Sequence, residues 1–345
     1  MAKMRAIIFK EHGGTEKLEP AYVPIPELGK RDVLVKVAAC ALNHLDLWTL
    51  AGMPGVKISM PHVLGCDIAG EVVATGKKAK QIPLHKPVIV APGISCGHCR
   101  YCEDGWDSLC KEYKILGFQI NGGLAEYVRV PARNIIPVTK HHSLEEWAGV
   151  PLSFLTAWHM LVTRGAIKRK ETVLIHAAGS GLGSAAIQIA KLFKTRVLAT
   201  VGSDEKVKRA KALGADEVIH YKFKDFQSEV LRLTRAEGVD VVFEHIGSET
   251  FTKSLSCLRK KGRLLTCGAT SGRSVTFDVR HLFTRQLSIS GSYMGGIDEL
   301  KRVVRRVEAG KLRPVIDTIF PLREARKAVD RMIARENFGK IILKP

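Results

Sequence analysis

The fold is decided by residues 172–183, which read TVLIHAAGSGLG. Residues 172–176 form an apolar run that predicts a buried strand, the small residues that follow predict a turn, and residues 182–193 have a helical pattern. This order is typical of a site where amides at a helix N-terminus bind the pyrophosphate of a dinucleotide. The turn departs from G-x-G-x-x-G, since Ala178 and Ser180 occupy the first two glycine positions, and a tight turn without a ligand is the alternative.

Beyond this turn, apolar runs alternate with amphipathic stretches. The predicted strands are residues 196–201, 217–219, 239–243, 262–266 and 287–291, and a helix is predicted over residues 204–213. A βαβ rhythm of this kind indicates a parallel sheet. Together with the strand before the turn it gives six strands, the number in a complete dinucleotide-binding fold.

The two ends of the sequence have other patterns. Residues 1–140 contain short strands separated by turns, as at 4–9, 33–39, 68–75 and 124–130, which predict an all-β domain. After Gly295 and Gly296 we predict a helix (297–309), a strand (314–320), a helix (323–334) and a last strand (340–343), and we expect this tail to return to the first domain. The predicted domains are therefore residues 1–149 with 294–345, and residues 150–293.

Length and composition agree with this division. A chain of 345 residues with 46% hydrophobic and 26% charged residues is long enough for two globular domains. No stretch approaches the roughly 20 uninterrupted apolar residues that a membrane helix needs, and residues 1–10 contain too short an apolar segment for a signal peptide. We therefore expect a cytoplasmic protein without a membrane partner.

The net charge is +20, with 54 Lys and Arg against 34 Asp and Glu. Such a charge favours polyanionic partners, which are nucleic acid, an acidic membrane surface or a small molecule with several phosphates. The basic residues are spread along the chain, so a solvated basic surface is the simplest interpretation. Because no basic patch interleaved with aromatic residues and no nucleic-acid-binding motif is present, we do not expect nucleic-acid binding as the main function.

Four of the eight cysteines, Cys96, Cys99, Cys102 and Cys110, have the spacing C-x2-C-x2-C-x7-C. Four thiolates satisfy tetrahedral Zn²⁺ completely and leave no open coordination position, so the spacing predicts one structural zinc per chain rather than a catalytic zinc. Disulfides are disfavoured in a cytosolic protein, and the usual spacings of iron–sulfur clusters differ. The cysteines at 40, 66, 257 and 267 are in apolar contexts and are predicted to be mostly buried packing residues.

The residues after the second predicted strand bear on the choice of cofactor. An NAD-preferring site places an acidic residue at the end of that strand to bind the ribose hydroxyls. Here the strand runs into Gly202 and Ser203, and Lys206 and Tyr221 are suited to bind a 2′-phosphate, so NADP(H) is favoured over NAD(H). Asp204 and Glu205 instead favour NAD(H), because they are acidic and follow the same strand. Asp204 has another interpretation, since it suits the first turn of the next helix, where the helix dipole favours acidic groups.

The chain resembles the medium-chain dehydrogenase/reductase superfamily over its whole length. This superfamily includes zinc-containing alcohol dehydrogenases and quinone oxidoreductases. The resemblance rests on the β domain, the four-cysteine loop, the AAGSGLG turn at 177–183 and the returning tail. The resemblance implies an α/β protein in which a GroES-like β-barrel catalytic domain joins a Rossmann domain with a doubly wound parallel sheet. It also implies hydride transfer between a nicotinamide cofactor and a small-molecule substrate in the cleft between the domains. The four cysteines correspond to the structural zinc ligands of the alcohol dehydrogenases. Because members usually pair the edge strands of their cofactor domains, a homodimer or homotetramer is expected.

The alcohol dehydrogenases of this superfamily also bind a catalytic zinc, through a Cys in a C-H-x-D-like segment, a His in a G-H-E segment and a later Cys or Asp. In this sequence Asn43 stands at the first cysteine position, the second segment reads G-C-D at 65–67, and residues 151–156 (PLSFLT) offer no good third ligand. Activation of an alcohol by Zn²⁺ needs three protein ligands and an open position. An intact catalytic zinc is therefore not expected, although Cys66 with His44 or the adjacent aspartate leaves an unusual arrangement open.

The segments ALNHLD (41–46), G-x-D-x-x-G (65–70) and TVGS (200–203) are instead similar to the quinone oxidoreductase and enoyl reductase branch. Those enzymes reduce C=C bonds conjugated to a carbonyl and need no metal in the active site. Hydride goes from NADPH to the β-carbon while hydrogen-bond donors stabilise the enolate, as in an oxyanion hole. We therefore predict an NADP(H)-dependent reductase of a quinone, enone or enoyl substrate, with a zinc-dependent alcohol dehydrogenase as the alternative. The four-cysteine loop is a departure, because that branch commonly lacks it.

The resemblance also suggests site residues. Catalytic residues are expected among Asn43, His44, Asp67 and Tyr293, although His44 could contact the cofactor pyrophosphate, Asp67 could orient backbone and the nearby Trp48 could belong to the core. The expected cofactor contacts are Gly179, Ser180, Gly181, Leu182, Gly183, Gly202, Ser203, Lys206, Tyr221, Ile246, Gly268, Ala269, Thr270, Ser292, Met294 and Lys340. A solvated lysine is the alternative for the last of these. In a variant of the prediction, the positive charge steers an acyl-CoA thioester to the cleft.

Overall fold

The computed structural model describes residues 2–79 and 82–345. The chain divides into two compact units: unit 1 comprises Met1–Leu152 and Gly295–Pro345, and unit 2 comprises Ser153–Met294. The predicted domain boundaries, at 149/150 and 293/294, lie close to these positions. In the described ranges we find no helix that is both long and apolar enough to cross a membrane. The cytoplasmic location stays a prediction.

The first segment of unit 1 consists mainly of short strands. They are β1 (Lys3–Phe9), β2 (Glu19–Pro24), β3 (Asp32–Ala41), β4 (His62–Val63), β5 (Asp67–Thr75), β6 (Pro87–Val90), β7 (Gly93–Ile94), β8 (Lys114–Ile115), β9 (Tyr127–Pro131) and β10 (Ile135–Pro137). The helices are α1 (His44–Ala51), α2 (Arg100–Glu103), α3 (Leu144–Ala148) and α4 (Pro151–Trp158), the last of which runs across the boundary. In β3 the alternate residues Val33, Val35 and Val37 are buried, which is the period-two pattern of a strand with one face in a core.

Unit 2 alternates strands and helices. The strands are β11 (Thr172–Ile175), β12 (Arg196–Val201), β13 (Glu217–His220), β14 (Val239–Glu244), β15 (Leu258–Thr266) and β16 (Ser288–Gly291). A π-helical segment, His159–Arg164, precedes them, and the α-helices are α5 (Gly181–Leu192), α6 (Asp204–Ala212), α7 (Phe226–Leu233), α8 (Phe251–Ser256) and α9 (Val279–Thr284).

The six strands of unit 2 form one parallel sheet in the order β13-β12-β11-β14-β15-β16. All residues of β14 are buried, which is typical of a central parallel strand covered on both faces. The strand order reverses between β11 and β14, and open α/β sheets bind ligands in the crevice beyond the carboxyl ends of the strands at such a point. The predicted α/β fold class is confirmed, and the site is expected at this edge of unit 2.

The C-terminal segment of unit 1 contains α10 (Ile297–Glu308), β17 (Ile316–Pro321), α11 (Ala325–Ile333) and β18 (Lys340–Lys344). β18 is antiparallel to β3, with Ile342 opposite Ala41, and parallel to β17. It completes a sheet with the order β10-β6-β5-β3-β18-β17, to which β9 is added beside β3, while β2-β1-β4 and β7-β8 form separate small sheets. This pairing brings Lys340, the first residue of β18, close to the end of β3.

One predicted strand begins later than expected. The sequence predicts a strand over 124–130, whereas β9 begins at Tyr127. Residues before it hydrogen bond to other parts of unit 1: the Leu124 amide donates to the Leu64 carbonyl and its own carbonyl accepts from the Ile7 amide. The start of this apolar run therefore bonds to β1, and its later part, β9, pairs with β3. Periodicity alone does not reveal this change of partner.

Candidate functional site

The glycine-rich turn of unit 2 connects β11 to α5 through a tightly packed backbone. Ala177 has a left-handed φ of 47°, and Ser180 caps α5 by accepting a hydrogen bond from the Gly183 amide at 2.9 Å. A Cβ on Gly183 would lie 2.3 Å from the carbonyl oxygen of Ala177, so a larger residue requires the turn to move. The predicted contacts Gly179, Ser180, Gly181, Leu182 and Gly183 all lie in this turn and at the start of α5. A glycine cradle at a helix N-terminus fits a pyrophosphate.

Three buried hydroxyl groups of unit 2 provide a second test of fit for a dinucleotide. Ser292 follows β16, and its buried Oγ has no hydrogen-bond partner in the described part of the chain. The buried hydroxyls of Ser153 and Thr156, on α4, are likewise without a partner there. Since buried polar groups are normally hydrogen bonded, the Ser292 hydroxyl, which lies at the carboxyl end of β16, is suited to bind a polar group of a bound cofactor.

The corner after β12 has the small polar character that the sequence predicts. A Cβ on Gly202 would lie 2.5 Å from the Tyr221 hydroxyl oxygen, so the glycine allows the aromatic ring to approach the backbone. Ser203 caps α6 by accepting from the Lys206 amide at 3.4 Å. The last residue of β12, Val201, is buried and apolar, and the strand therefore ends without a carboxylate.

The loops after β14 and β15 are hydrogen bonded to each other, and the Ser271 amide donates to the Ile246 carbonyl at 2.7 Å. The Ile246 amide donates to Glu244 Oε1 at 2.6 Å, and its carbonyl accepts from the Thr270 hydroxyl at 3.3 Å. A Cβ on Gly268 would lie 2.9 Å from the His245 carbonyl oxygen, so these loops pack closely. The predicted contacts Ile246, Gly268, Ala269 and Thr270 thus belong to one hydrogen-bonded surface at the carboxyl edge of the sheet.

A buried polar network lies beneath this edge. The Glu244 carboxylate is fully buried and accepts from the Thr250 and Ser254 hydroxyls at 2.9 and 3.0 Å. The His176 ring contacts the Ser254 hydroxyl at 2.9 Å and the Thr200 hydroxyl at 3.2 Å. Burial lowers the pKa of His176 to about 4, so the imidazole is neutral at pH 7.

The network is hydrogen bonded to the glycine-rich turn, because the Thr200 hydroxyl also accepts from the Ala177 amide at 3.2 Å. Neither His176 nor Glu244 was predicted as a site residue. A signal was present, since His176 ends the predicted strand 172–176 and Glu244 directly follows the predicted strand 239–243.

Unit 1 contains a buried cluster at the end of β3, the start of β5 and the start of β18. The Lys340 ammonium donates to Asn43 Oδ1 at 2.6 Å, to Asp67 Oδ2 at 2.9 Å and to the Leu42 carbonyl at 2.7 Å. The Asn43 amide nitrogen donates to Asp67 Oδ2 at 2.9 Å and contacts Cys66 Sγ at 3.3 Å. Asp67 is completely buried, and Lys340 is only 4% exposed. The cluster therefore balances one buried carboxylate against one buried ammonium.

This geometry corrects the phosphate role considered for Lys340. The Lys340 ammonium uses its three hydrogens in bonds to atoms of unit 1, so none is left to donate to a phosphate. Because the side chain is buried, Lys340 is not a solvated lysine either. The tertiary pairing of β18 with β3 decides this environment, and local sequence does not show it.

Asn43 also positions the start of α1, and Asp67 positions the start of α4. Asn43 precedes the helix, its backbone amide donates to Asp46 Oδ2 at 2.7 Å, and Asp46 Oδ1 accepts from the Gly65 amide at 3.0 Å. Asp67 Oδ1 accepts from the Leu152 amide at 2.6 Å. Because their polar atoms are used in these bonds, both residues are better suited to position neighbours than to contact a substrate. Burial raises the pKa of Asp46 to about 6.

The other two predicted catalytic residues are exposed. His44 is the first residue of α1, and its ring forms an edge contact with Trp48 at 5.4 Å between centroids. Trp48 is partly exposed, so the alternative that it belongs to the core is wrong. Tyr293 is 47% exposed, and partial burial raises the pKa of its phenol, so the hydroxyl remains a donor at neutral pH. The next residue, Met294, has a left-handed φ of 55° and is buried.

The four-cysteine loop has the geometry of a zinc site. One sulfur from each of Cys96, Cys99, Cys102 and Cys110 lies within 4.8 Å of the others. Sγ of Cys102 is 3.9 Å from that of Cys96 and 3.6 Å from that of Cys99, close to the separation of about 3.8 Å implied by Zn–S bonds of about 2.3 Å. The Gly97 amide also donates to Cys102 Sγ at 3.4 Å, which stabilises a thiolate. These residues fit Zn²⁺ with complete protein coordination.

Comparison with known proteins identifies the family. Residues 29–140 match the alcohol dehydrogenase GroES-like domain, and residues 181–309 match the zinc-binding dehydrogenase family. A solved NAD-dependent alcohol dehydrogenase is 44% identical with a TM-score of 0.95, covering 99% of this chain and 100% of its own. The crotonyl-CoA reductase of Streptomyces collinus is 32% identical over 94% of this chain and 81% of its own, and the quinone oxidoreductase of Homo sapiens is 27% identical over 99% and 97%.

These relatives share one architecture and differ in the reactions that their names give. They confirm the predicted superfamily, the GroES-like domain and the Rossmann fold, and they support a nicotinamide cofactor, zinc and a small-molecule substrate. The chain belongs to the medium-chain dehydrogenase/reductase superfamily and is an NAD(P)-dependent oxidoreductase.

Proposed function

We propose that the protein transfers hydride from NADPH to a C=C bond conjugated to a carbonyl, in a quinone, enone or enoyl substrate, without a catalytic metal. The observation that supports this most is the buried cluster of Asn43, Asp67 and Lys340. By the resemblance, two of these positions correspond to the catalytic-zinc region of alcohol dehydrogenases. Here that region offers a neutral amide, a carboxylate already paired with an ammonium, and the Cys66 thiol, whose pKa burial raises well above its usual range.

This donor set disfavours Zn²⁺ on electrostatic grounds. Zinc binds thiolates, neutral imidazoles and carboxylates, and a thiol that resists deprotonation is a poor ligand. A dication beside Asp67 would also compete with the ammonium that lies 2.9 Å from its carboxylate oxygen. Within residues 2–79 and 82–345, groups of three or more metal-ligating side chains that lie close together occur only in the cysteine loop.

The side chains of this protein are then assigned binding and polarising roles. The turn from Ser180 to Gly183 binds the pyrophosphate, and Ser203, Lys206 and Tyr221 bind the 2′-phosphate, which favours NADP(H) over NAD(H). When bound, the reduced nicotinamide supplies the hydride.

Stabilisation of the developing enolate is assigned to an exposed donor. Because His44 is exposed at the start of α1, it is the residue we assign to the carbonyl oxygen of the substrate. For Tyr293, which is exposed in unit 2, the catalytic role stays a prediction. Asn43 acts as a positioning residue that fixes the start of α1 and therefore the location of His44, and Asp67 accepts from the Asn43 side chain.

A matched pair of acceptors tests this proposal. NADPH oxidation is measured with an enone and with the saturated ketone of the same carbon skeleton. The proposal predicts turnover of the enone and little turnover of the saturated ketone, because only the enone has an electrophilic β-carbon that can accept hydride. Equal turnover of both, or turnover of the saturated ketone alone, contradicts it.

Zinc-dependent alcohol dehydrogenase activity is the second candidate function. It is favoured by the 44% identity to a solved NAD-dependent alcohol dehydrogenase. This function predicts oxidation of a saturated alcohol with NAD⁺ and loss of that activity when metal is removed from a protein that remains folded. Absence of alcohol oxidation with both NAD⁺ and NADP⁺ contradicts it.

Assembly into a homodimer or homotetramer is part of the proposal. β16 is the edge strand of the sheet in unit 2, and an unpaired edge can be extended by the same strand of a second copy. Light scattering coupled to size-exclusion chromatography measures the mass in solution, and a mass of one chain of 38.0 kDa contradicts the assembly.

A further inference from the structure

A second group of metal-ligating side chains lies next to the four-cysteine site. One ligand atom from each of Cys96, His98 and Glu112 lies within 4.8 Å of the others. Cys96 belongs to both groups, whereas His98 and Glu112 are exposed and do not belong to the four-cysteine set. The second group is therefore an extension of the first toward solvent, through a shared sulfur.

The His98 ring is hydrogen bonded to the backbone of the cysteine loop. Its Nδ1 lies 3.0 Å from the Cys96 carbonyl oxygen, so Nδ1–H donates to that oxygen and the lone pair remains on Nε2. Metal-binding histidines commonly use one ring nitrogen for the metal and donate the other N–H to a backbone carbonyl. The hydrogen bond therefore fixes the tautomer that a transition metal requires.

The charge of the loop favours a second cation. Four thiolates around one Zn²⁺ give the first site a net charge of −2, and Glu112 adds another negative charge. The two guanidiniums with bonds in this region are paired with carboxylates: Arg133 lies 3.4 Å from Asp107, and Arg100 lies 3.8 Å from Asp104. The other charged side chains of residues 96–114 are two lysines and two glutamates, which cancel in number, so the charge of −2 at the zinc-loaded cysteine loop remains.

We propose that Cys96, His98 and Glu112 bind a second divalent transition metal ion, such as Zn²⁺ or Co²⁺, more weakly than the four-cysteine site, with the Cys96 thiolate shared by the two ions. The combination of thiolate, imidazole and carboxylate suits zinc and cobalt and disfavours Mg²⁺ and Ca²⁺. Three protein ligands at an exposed position make the second ion exchangeable. Two metal ions per chain are consequently expected at saturating metal, without a catalytic zinc. The inference requires a metal-loaded four-cysteine site and does not depend on the reaction proposed above.

The test uses the full-length protein with one tightly bound zinc per chain. It is titrated with Co²⁺ while bound cobalt and retained zinc are measured by mass spectrometry and the thiolate-to-cobalt absorption band is recorded. The proposal predicts one additional cobalt per chain, retention of the zinc and a thiolate band from Cys96. His98→Ala and Glu112→Gln should each weaken cobalt binding by at least about tenfold, the low end of what loss of a metal-supporting group costs.

Two matched variants control for general effects of charge and of exposed histidines. His141→Ala removes another exposed histidine, and Glu103→Gln removes another exposed carboxylate of the same loop. Both should bind cobalt as the wild type does. The proposal is overturned if no additional cobalt binds, if cobalt enters only as zinc leaves, if the thiolate band is absent, or if His98→Ala and Glu112→Gln bind cobalt unchanged. Because the readout is metal content, failure here leaves the proposed reaction untouched.

Discussion

At the scale of single residues, the pairing of Lys340 with Asp67 is the least expected feature of the chain. The sequence shows a lysine after glycine and an aspartate after cysteine, and each has an ordinary role in isolation. The structure joins them across 273 positions of sequence into a buried ion pair that also fixes Asn43. A buried pair of this kind contributes little net stability, but removal of one partner leaves an uncompensated charge.

Lys340→Met tests this interpretation. It retains much of the side-chain volume and leaves the Asp67 carboxylate buried without its cation, so the free energy of unfolding should fall by about 3–5 kcal/mol. Denaturant unfolding measures the change. The double variant Lys340→Met with Asp67→Asn removes both charges and should cost much less than the two single variants added together. Additive costs would show that the ammonium and the carboxylate do not interact.

His176 gives a prediction about pH. In the unfolded chain this histidine binds a proton below its ordinary pKa of 6.5, whereas in the folded protein burial lowers its pKa to about 4. The unfolded state therefore binds more protons between these values, and stability should fall as pH decreases from about 6.5 to about 4. His176→Asn should reduce this dependence, measured as the thermal midpoint across that range. His141→Ala, which removes an exposed histidine, is the control and should leave the pH dependence of stability as in the wild type. The same result for His176→Asn would contradict a buried, neutral His176.

Single residues also differ in how far their roles can be predicted from the sequence. The four cysteines were identifiable because all ligands lie within one loop, so spacing alone indicates the geometry. The role of Lys340 was not identifiable, because it depends on β18 pairing with β3 far away in sequence. His176 and Glu244 are intermediate cases, since their positions at strand ends were visible but their contact depends on the sheet order.

At the scale of elements, the strand, turn and helix around Gly183 determine the cofactor site. Gly183→Val places a branched side chain where even a Cβ would lie 2.3 Å from the Ala177 carbonyl oxygen. We expect the turn to shift and the affinity for NADPH to fall by at least about tenfold, because the amides at the helix N-terminus lose their alignment. Fluorescence titration with NADPH measures the affinity. Gly291→Ala is the control, since a Cβ there meets nothing within 4 Å. Wild-type affinity in Gly183→Val would contradict the assignment.

The first turn of α6 gives a prediction about cofactor choice. If Lys206 binds the 2′-phosphate, Lys206→Ala should raise the KM for NADPH by about tenfold, the effect of losing one charge-assisted contact, and leave the KM for NADH unchanged. Lys208→Ala removes an exposed lysine of the same helix and should alter neither value. Equal changes in both KM values for Lys206→Ala would mean that the lysine does not distinguish the two cofactors.

Element prediction from sequence was most successful where periodicity is strong. The long apolar runs at β11, β12 and β14 and the amphipathic helices α5, α6 and α10 lie close to their expected bounds. The two-residue strands β4, β7 and β8 escaped notice, because such strands are too short to show alternation and exist only through their partners. The α/β class therefore follows from sequence, whereas the full sheet order of unit 1 requires the structure.

At the scale of the whole molecule, the chain combines features of two branches of its superfamily. The four-cysteine loop resembles the structural zinc loop of alcohol dehydrogenases, and the Asn43, Cys66 and Asp67 segments are similar to the reductase branch. The relatives reflect the same combination, since they include an alcohol dehydrogenase, a crotonyl-CoA reductase and a quinone oxidoreductase. Metal content alone is a weak discriminator, because a second metal ion is also expected beside Cys96.

The position of hydride delivery tests the central claim most directly. An α,β-unsaturated aldehyde offers both a β-carbon and a carbonyl carbon to one active site, so it is reduced with NADPH that carries deuterium at the transferred position. The product is then analysed by NMR. The proposed function predicts deuterium on the β-carbon of a saturated aldehyde. Deuterium on the hydroxyl-bearing carbon of an allylic alcohol would contradict it and would favour alcohol dehydrogenase chemistry.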